Sequence, residues 1–196
     1  MSFRLGLLAA AAASLAAAAP AWAAFDVTFA GSAGATTPLS IMSGSNTLTF
    51  ASTAAAGTFT VGNSGLFTGF GYGLGDYNSS SGDPLTISFA TAVTGLDVTF
   101  GIEDLLGLNG SDSLTFATNT GFTTTLAGTL NGAIVTEPEG TGAFTAPSFT
   151  SVTITSANPF ALGEISSPAA ASVPEPMSLA LLGAGLVGLA GLRRRA

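Results

Sequence analysis

Apolar residues in this chain keep returning at every second position. In "PLTISFA", Leu85, Ile87 and Phe89 fall on one side and Thr86 and Ser88 on the other. "GLDVTFGI" aligns Leu96, Val98, Phe100 and Ile102, "DSLTFAT" aligns Leu114 and Phe116, and "SVTITS" aligns Val152 and Ile154. "NTLTFAS" and "GTFTVG" repeat the pattern earlier. A period of two puts one set of side chains on each face of a pleated strand, and no helix sorts such a sequence into faces. The second face is mostly Thr and Ser, which suits the wet side of an antiparallel sheet. Turn signals separate the runs: "SSSGDP" at 79–84, "GLNGSD" at 107–112 and "SANP" at 156–159. Short strands at this spacing predict an all-β body, an antiparallel β-sandwich of jelly-roll type, over residues 24–166. That length buries one core.

Composition agrees. Charged residues are 8% of the 196, against 47% hydrophobic, which is not the balance of a disordered chain. The charges are segregated. All eleven acidic residues lie from Asp26 to Glu175, where there is no Lys, Arg or His, so this stretch carries 0 − 11 = −11. The four basic residues are Arg4, Arg193, Arg194 and Arg195. A body without a cation neutralises no phosphates, which excludes nucleic acid and disfavours anionic lipid. Cations and neutral ligands remain compatible. No Cys means no disulfide, no thiolate nucleophile and no Cys metal site.

The ends differ in kind from the body. At the N-terminus, Arg4 precedes an apolar stretch from Leu5 to Ala19, Pro20 ends it, and Ala21-Trp22-Ala23 is small-x-small. This predicts a signal peptide over 1–23, cleaved after Ala23. At the C-terminus, a linker over 167–172 leads to Val173, Pro174, Glu175 and Pro176. The two prolines hold this stretch extended. Met177 to Leu192 is an uncharged run, long enough as a helix for roughly 24 Å. That is short of a hydrocarbon core of about 30 Å, a mismatch that snorkelling Arg side chains and a thinned bilayer accommodate. A single transmembrane helix over 177–192 is expected, with Arg193, Arg194 and Arg195 as its stop-transfer tail on the cytoplasmic side. Ala180, Ala184 and Gly188 form a small-xxx-small face, open to helix contact or to lipid.

The "VPEP", the run "LALLGAGLVGLAGL" and the terminal "RRR" occur in order over residues 173–196. Together they resemble the PEP-CTERM sorting signal of Gram-negative bacteria. The resemblance implies export by signal peptidase and the export machinery, transient anchorage in the inner membrane, and recognition of Val173, Pro174, Glu175 and Pro176 by an exosortase. It also implies delivery to the cell surface or an extracellular polysaccharide matrix of the biofilm kind. "PFALGEIS" resembles the last strand of β-sandwich bodies in this family.

Catalytic chemistry is scarce. Without His, Cys or Lys in the body there is no triad, thiolate or Schiff base. Carboxylate pairs suffice for glycoside hydrolysis. The candidates are Glu103 with Asp104, Asp76 with Asp83, and Glu137 with Glu139, and nothing in the sequence marks any as a dyad. The expectation is a non-enzymatic structural protein with no catalytic residue and no cofactor. Two binding alternatives stand beside it. Glu103, Asp104, Asn109 and Asp112 share one loop and offer the oxygen ligands Ca²⁺ prefers, although a solvated acidic loop reads the same way. In "GLFTGFGYGLGDY", Phe70, Tyr72 and Tyr77 could form a platform for a glycan, or simply belong to a hairpin. The alternating glycines there are no phosphate cradle, because no Lys follows and no helix opens.

Overall fold

A computed structural model describes residues 24–53, 59–63, 65, 67–77, 82–104, 113–130 and 137–167. Residues 22–170 form one compact unit. Ten strands carry it: β1 (Phe25–Thr28), β2 (Leu39–Ser43), β3 (Asn46–Ser52), β4 (Thr60–Gly62), β5 (Gly73–Gly75), β6 (Leu85–Ile102), β7 (Ser113–Thr118), β8 (Thr123–Ala127), β9 (Glu139–Thr155) and β10 (Phe160–Ser167). Every strand pairing is antiparallel. A 3-10 turn at Ala30–Ser32 is the one helical element among the described residues. The all-β expectation holds.

Two of the sequence runs turn out to be one strand. "PLTISFA" and "GLDVTFGI" are the halves of the 18-residue β6, joined through "TAVT" without Pro, Asn or Asp to turn the chain. Fully extended, such a strand would reach roughly 55–60 Å. Its ends instead lie together: Gly82 N–H donates to Ala157 O (3.4 Å) and Glu103 N–H to Pro159 O (2.8 Å), acceptors two residues apart. β6 therefore doubles back, and β9 doubles with it. The first half of β6 pairs with β3 and with the end of β9, while the second half pairs with β10 and with the start of β9. The result is two sheet layers sharing two bent strands, a sandwich whose corner lies within strands.

The bend leaves visible marks. The β6–β9 register breaks between Ser88 and Val93 and again between Val93 and Gly95. Inward parity switches there, from Leu85, Ile87, Phe89 and Val93 to Leu96, Val98, Phe100 and Ile102. Pro147 sits in the β9 bulge opposite, where it forfeits no ladder hydrogen bond. Asparagine side chains replace the lost ladder bonds. Asn46, fully buried, donates from Nδ2 to Thr91 O and accepts from Thr91 N–H, both at 2.9 Å. Asn119 Oδ1 accepts from Thr150 N–H (3.1 Å) and Ser151 N–H (3.2 Å).

The core is a phenylalanine core. Phe25, Phe89, Phe149, Phe144 and Phe116 follow one another with ring centroids 5.4–6.2 Å apart. Each buried Phe supplies roughly 1.5–3 kcal/mol of transfer free energy. Leu48, Phe50, Phe59, Val61, Leu114, Phe116, Val152 and Ile154, all assigned inward by alternation, are buried. The "SANP" turn joins β9 to β10, and "PFALGEIS" is the last described strand.

Candidate functional site

The second-half sheet turns one wet face outward, and its register makes that face regular. Thr28 stands opposite Glu164, Glu164 opposite Thr99, and Thr99 opposite Thr141. The next row is Asp26, Ser166, Asp97 and Ala143. Hydroxyls and carboxylates thus form two rows across β1, β10, β6 and β9. The Oγ1 atoms of Thr99 and Thr141 share a hydrogen bond at 3.4 Å.

A groove of about 260 Å³ closes one end of this face. Phe70 and Tyr72 line it with Thr28, Phe29, Thr99 and Glu164. Tyr72 is 39% exposed, one of the few large apolar side chains so open among the described residues. Glycine fixes the position of Phe70. A Cβ on Gly163 would come within 2.2–2.6 Å of Phe70, so the ring occupies space that only Gly leaves free. Gly163 is also where the β10–β6 register slips, between Leu162 and Glu164. Phe70 in turn packs on Phe67 at 5.2 Å.

Glu139, at the start of β9, holds the groove loop. Its carboxylate, 6% exposed, accepts from Thr68 N–H, from Gly69 N–H (2.8 Å) and from Thr68 Oγ1 (3.3 Å). Charge-assisted bonds of this kind are the strong ones. The sequence reading paired Glu139 with Glu137; the structure gives the two carboxylates separate tasks.

Tyr77 does not join the groove. It packs against Gly62 and Gly75, and its hydroxyl donates to Gly73 O (3.2 Å) and Gly62 O (3.4 Å), pinning β4 to β5. Burial, and then the nearby Glu103, push the phenol up to about 12.

A second acidic group lies where the ends of the strands meet. Asp76 follows β5, Glu103 and Asp104 follow β6, and Glu137 precedes β9. Asp76, Asp104 and Glu137 are at most 5% exposed. Burial raises the Glu103 carboxyl above its ordinary value, and Asp76 adds to the rise. Burial also raises Glu137; a backbone N–H from Asp104 opposes this, and the charges of Glu103 and Asp104 reinforce it. Glu137 Oε2 and Asn158 Nδ2 are buried without a hydrogen-bond partner. Among the described residues, no three acidic side chains are placed to hold one metal ion. Of the four oxygen ligands read from the sequence, Glu103 and Asp104 are found here, whereas Asn109 and Asp112 lie outside the described residues. Asp76 and Glu137 were not in that set, because they reach Glu103 only through the sheet pairing.

Ala21 and Ala23, Val173 to Pro176, the predicted helix over 177–192 and Arg193 to Arg195 lie outside the described residues. No helix among the described residues is long and apolar enough to cross a membrane.

Fold and surface define a small antiparallel β-domain with a hydroxyl-and-carboxylate face. The chain also carries a PEP-CTERM protein-sorting motif, matched over residues 172–195. That match contains Val173, Pro174, Glu175, Pro176 and the three arginines. It marks an exported chain that an exosortase processes, with a membrane-anchoring motif at its C-terminus. A comparison of the sequence with curated proteins gives no match.

Proposed function

We propose that this is a surface or extracellular-matrix protein whose body is structural. Residues 1–23 act as its signal peptide, and 177–192 form a helix that spans the inner membrane until the exosortase reads "VPEP". The protein then passes to the cell surface or the polysaccharide layer around it. The observation that carries this reading is the sorting motif over residues 172–195, joined to a body with no cation from Asp26 to Glu175. With no His, Cys or Lys in the body, we read it as non-enzymatic and in need of no cofactor. Its winding is of the jelly-roll kind on this reading, since strands distant in sequence lie side by side, as β1 beside β10 and β3 beside β6 do.

Mass spectrometry of the protein from exosortase-positive and exosortase-negative cells tests the sorting. Loss of the segment after Pro176 only when the exosortase is present is the expected result. An intact Arg193–Arg195 tail in both strains would overturn it.

The groove favours a second reading, a displayed glycan-binding module. Phe70 and Tyr72 line it beside Glu164 and two threonines. Aromatic faces next to hydroxyl-accepting groups suit sugar rings. Polysaccharide retention that Tyr72→Ala leaves unchanged would remove this reading. Calcium at Glu103, Asp104, Asn109 and Asp112 is the other alternative; titration calorimetry without heat and without a shift in melting would dismiss it.

A further inference from the structure

The charge on the face beside the groove bears on which glycan would fit. Three carboxylates, Asp26, Asp97 and Glu164, stand on that face. No Lys, Arg or His exists between Asp26 and Glu175 to pair with any of them. Asp26 and Asp97 share a row with Ser166 between them, so they stand two strands apart, roughly 10 Å. Glu164 lies in the neighbouring row and also lines the groove with Tyr72. A polyanionic glycan is repelled here, and a neutral one leaves the charges unused.

We propose that this face takes an amino-sugar chain, a glycan whose free amines are positively charged. The proposal rests on the glycan-binding reading above and names the class of sugar. Carboxylates two strands apart match the span of about one disaccharide, so amines of alternate sugar units meet Asp26 and Asp97 along one row. Glu164 receives an amine at the mouth of the groove. Tyr72 offers its ring to the apolar face of the same sugar and to the ammonium beside it. Thr28, Thr99 and Thr141 exchange hydrogen bonds with ring hydroxyls.

The test is titration of the full-length chain in detergent with a glucosamine hexamer, its fully N-acetylated counterpart and hexalysine, at mildly acidic pH and low ionic strength. The glucosamine hexamer is expected to bind at least about fivefold more tightly than either of the others. Tyr72→Ala should weaken it about tenfold, and Glu164→Gln by a similar factor. Asp83→Asn removes the same charge from a residue that does not line the groove, and should change binding less than about twofold. Both groove positions are exposed, so unchanged melting of the variants separates lost binding from lost folding. Equal binding of the two hexasaccharides overturns the amine preference and leaves the glycan reading standing. No binding of either overturns both. Hexalysine binding as tightly, or Asp83→Asn acting as strongly as Glu164→Gln, would show that net charge alone is read and would overturn the proposal.

Discussion

The two groups of carboxylates in this body contrast sharply. Asp26, Asp97 and Glu164 stand on a pleated face, each with its strand neighbours pointing inward. Asp76, Asp104 and Glu137 lie at the closed end, nearly out of water, with Glu103 among them. Neither group has a Lys, Arg or His near it in sequence, since none stands from Asp26 to Glu175. On the face, water screens each charge and leaves it available to a ligand. At the closed end burial raises the Glu103 and Glu137 carboxyls toward their protonated form, because loss of water penalises the charged state. The same residue types are thus solvated in one place and desolvated in the other, and their position in the fold decides which.

The largest effect expected on breaking this contrast comes from Glu139, a buried carboxylate that is satisfied. Glu139→Ala strips acceptors from Thr68 and Gly69 and should cost about 2–4 kcal/mol, seen as a lower urea midpoint. Glu139→Gln keeps one acceptor and should lose about half as much. Proteolysis within 67–72 should rise in step.

Gly163→Ala comes next. Its new Cβ meets Phe70 at 2.2–2.6 Å, so the ring must leave its seat. Overpacking of this kind costs about 1–3 kcal/mol. Ligand retention should fall with it, even though every carboxylate on the face is untouched.

The third effect has the opposite sign. Glu103 and Glu137 have folded pKa values above their ordinary 4.5. A raised carboxyl favours the folded state below its unfolded pKa, and that contribution is lost as pH rises through the folded value. The contribution of these two groups should therefore fall as pH climbs from about 4.5 toward neutrality. Glu137→Gln cannot ionise and should melt roughly 3 °C higher than wild type at neutral pH, the gap closing below about 4.5. A gap of the same size at both pH values would show that the closed end is not under charge strain.

The smallest effect belongs to the open face. Asp97→Asn and Glu164→Gln should each move stability by less than about 0.5 kcal/mol. A larger loss in thermal melting would mean that the two groups of carboxylates are less different than their exposure implies.

Much of the body was legible in local patterns. Leu85, Ile87 and Phe89 face inward as alternation requires, and so do Leu96 to Ile102 on the opposite parity. The change of parity was already present in the sequence, but it read as two strands because a turn and a doubled-back strand interrupt the alternation alike. The first half of β9 was not legible. "EGTGAFTAPSFT" holds Gly140, Gly142 and Pro147, residues that weaken a strand pattern, and pairing with β6 overrides them. Strand β5 is only Gly-Leu-Gly and exists because β4 and β10 flank it. At the candidate site, Phe70 and Tyr72 could be singled out as aromatics in a glycine-rich stretch. Nothing local separated them from Tyr77, which shares that stretch and went to a different place.

The sequence by itself determined the kind of body and that the chain is exported with a sorting motif at its C-terminus. Alternation is local, so it survives any arrangement of the strands, and a sorting motif is a short linear pattern that is present whatever the strands do. Only the tertiary structure decided which acids stand together. Glu164, Asp97 and Asp26 are far apart along the chain and meet through strand register, and Asp76, Glu103 and Glu137 meet because β5, β10, β6 and β9 pair side by side at one end of the same sheet. Register and bending arise from pairing between distant segments, and no window of sequence contains both partners.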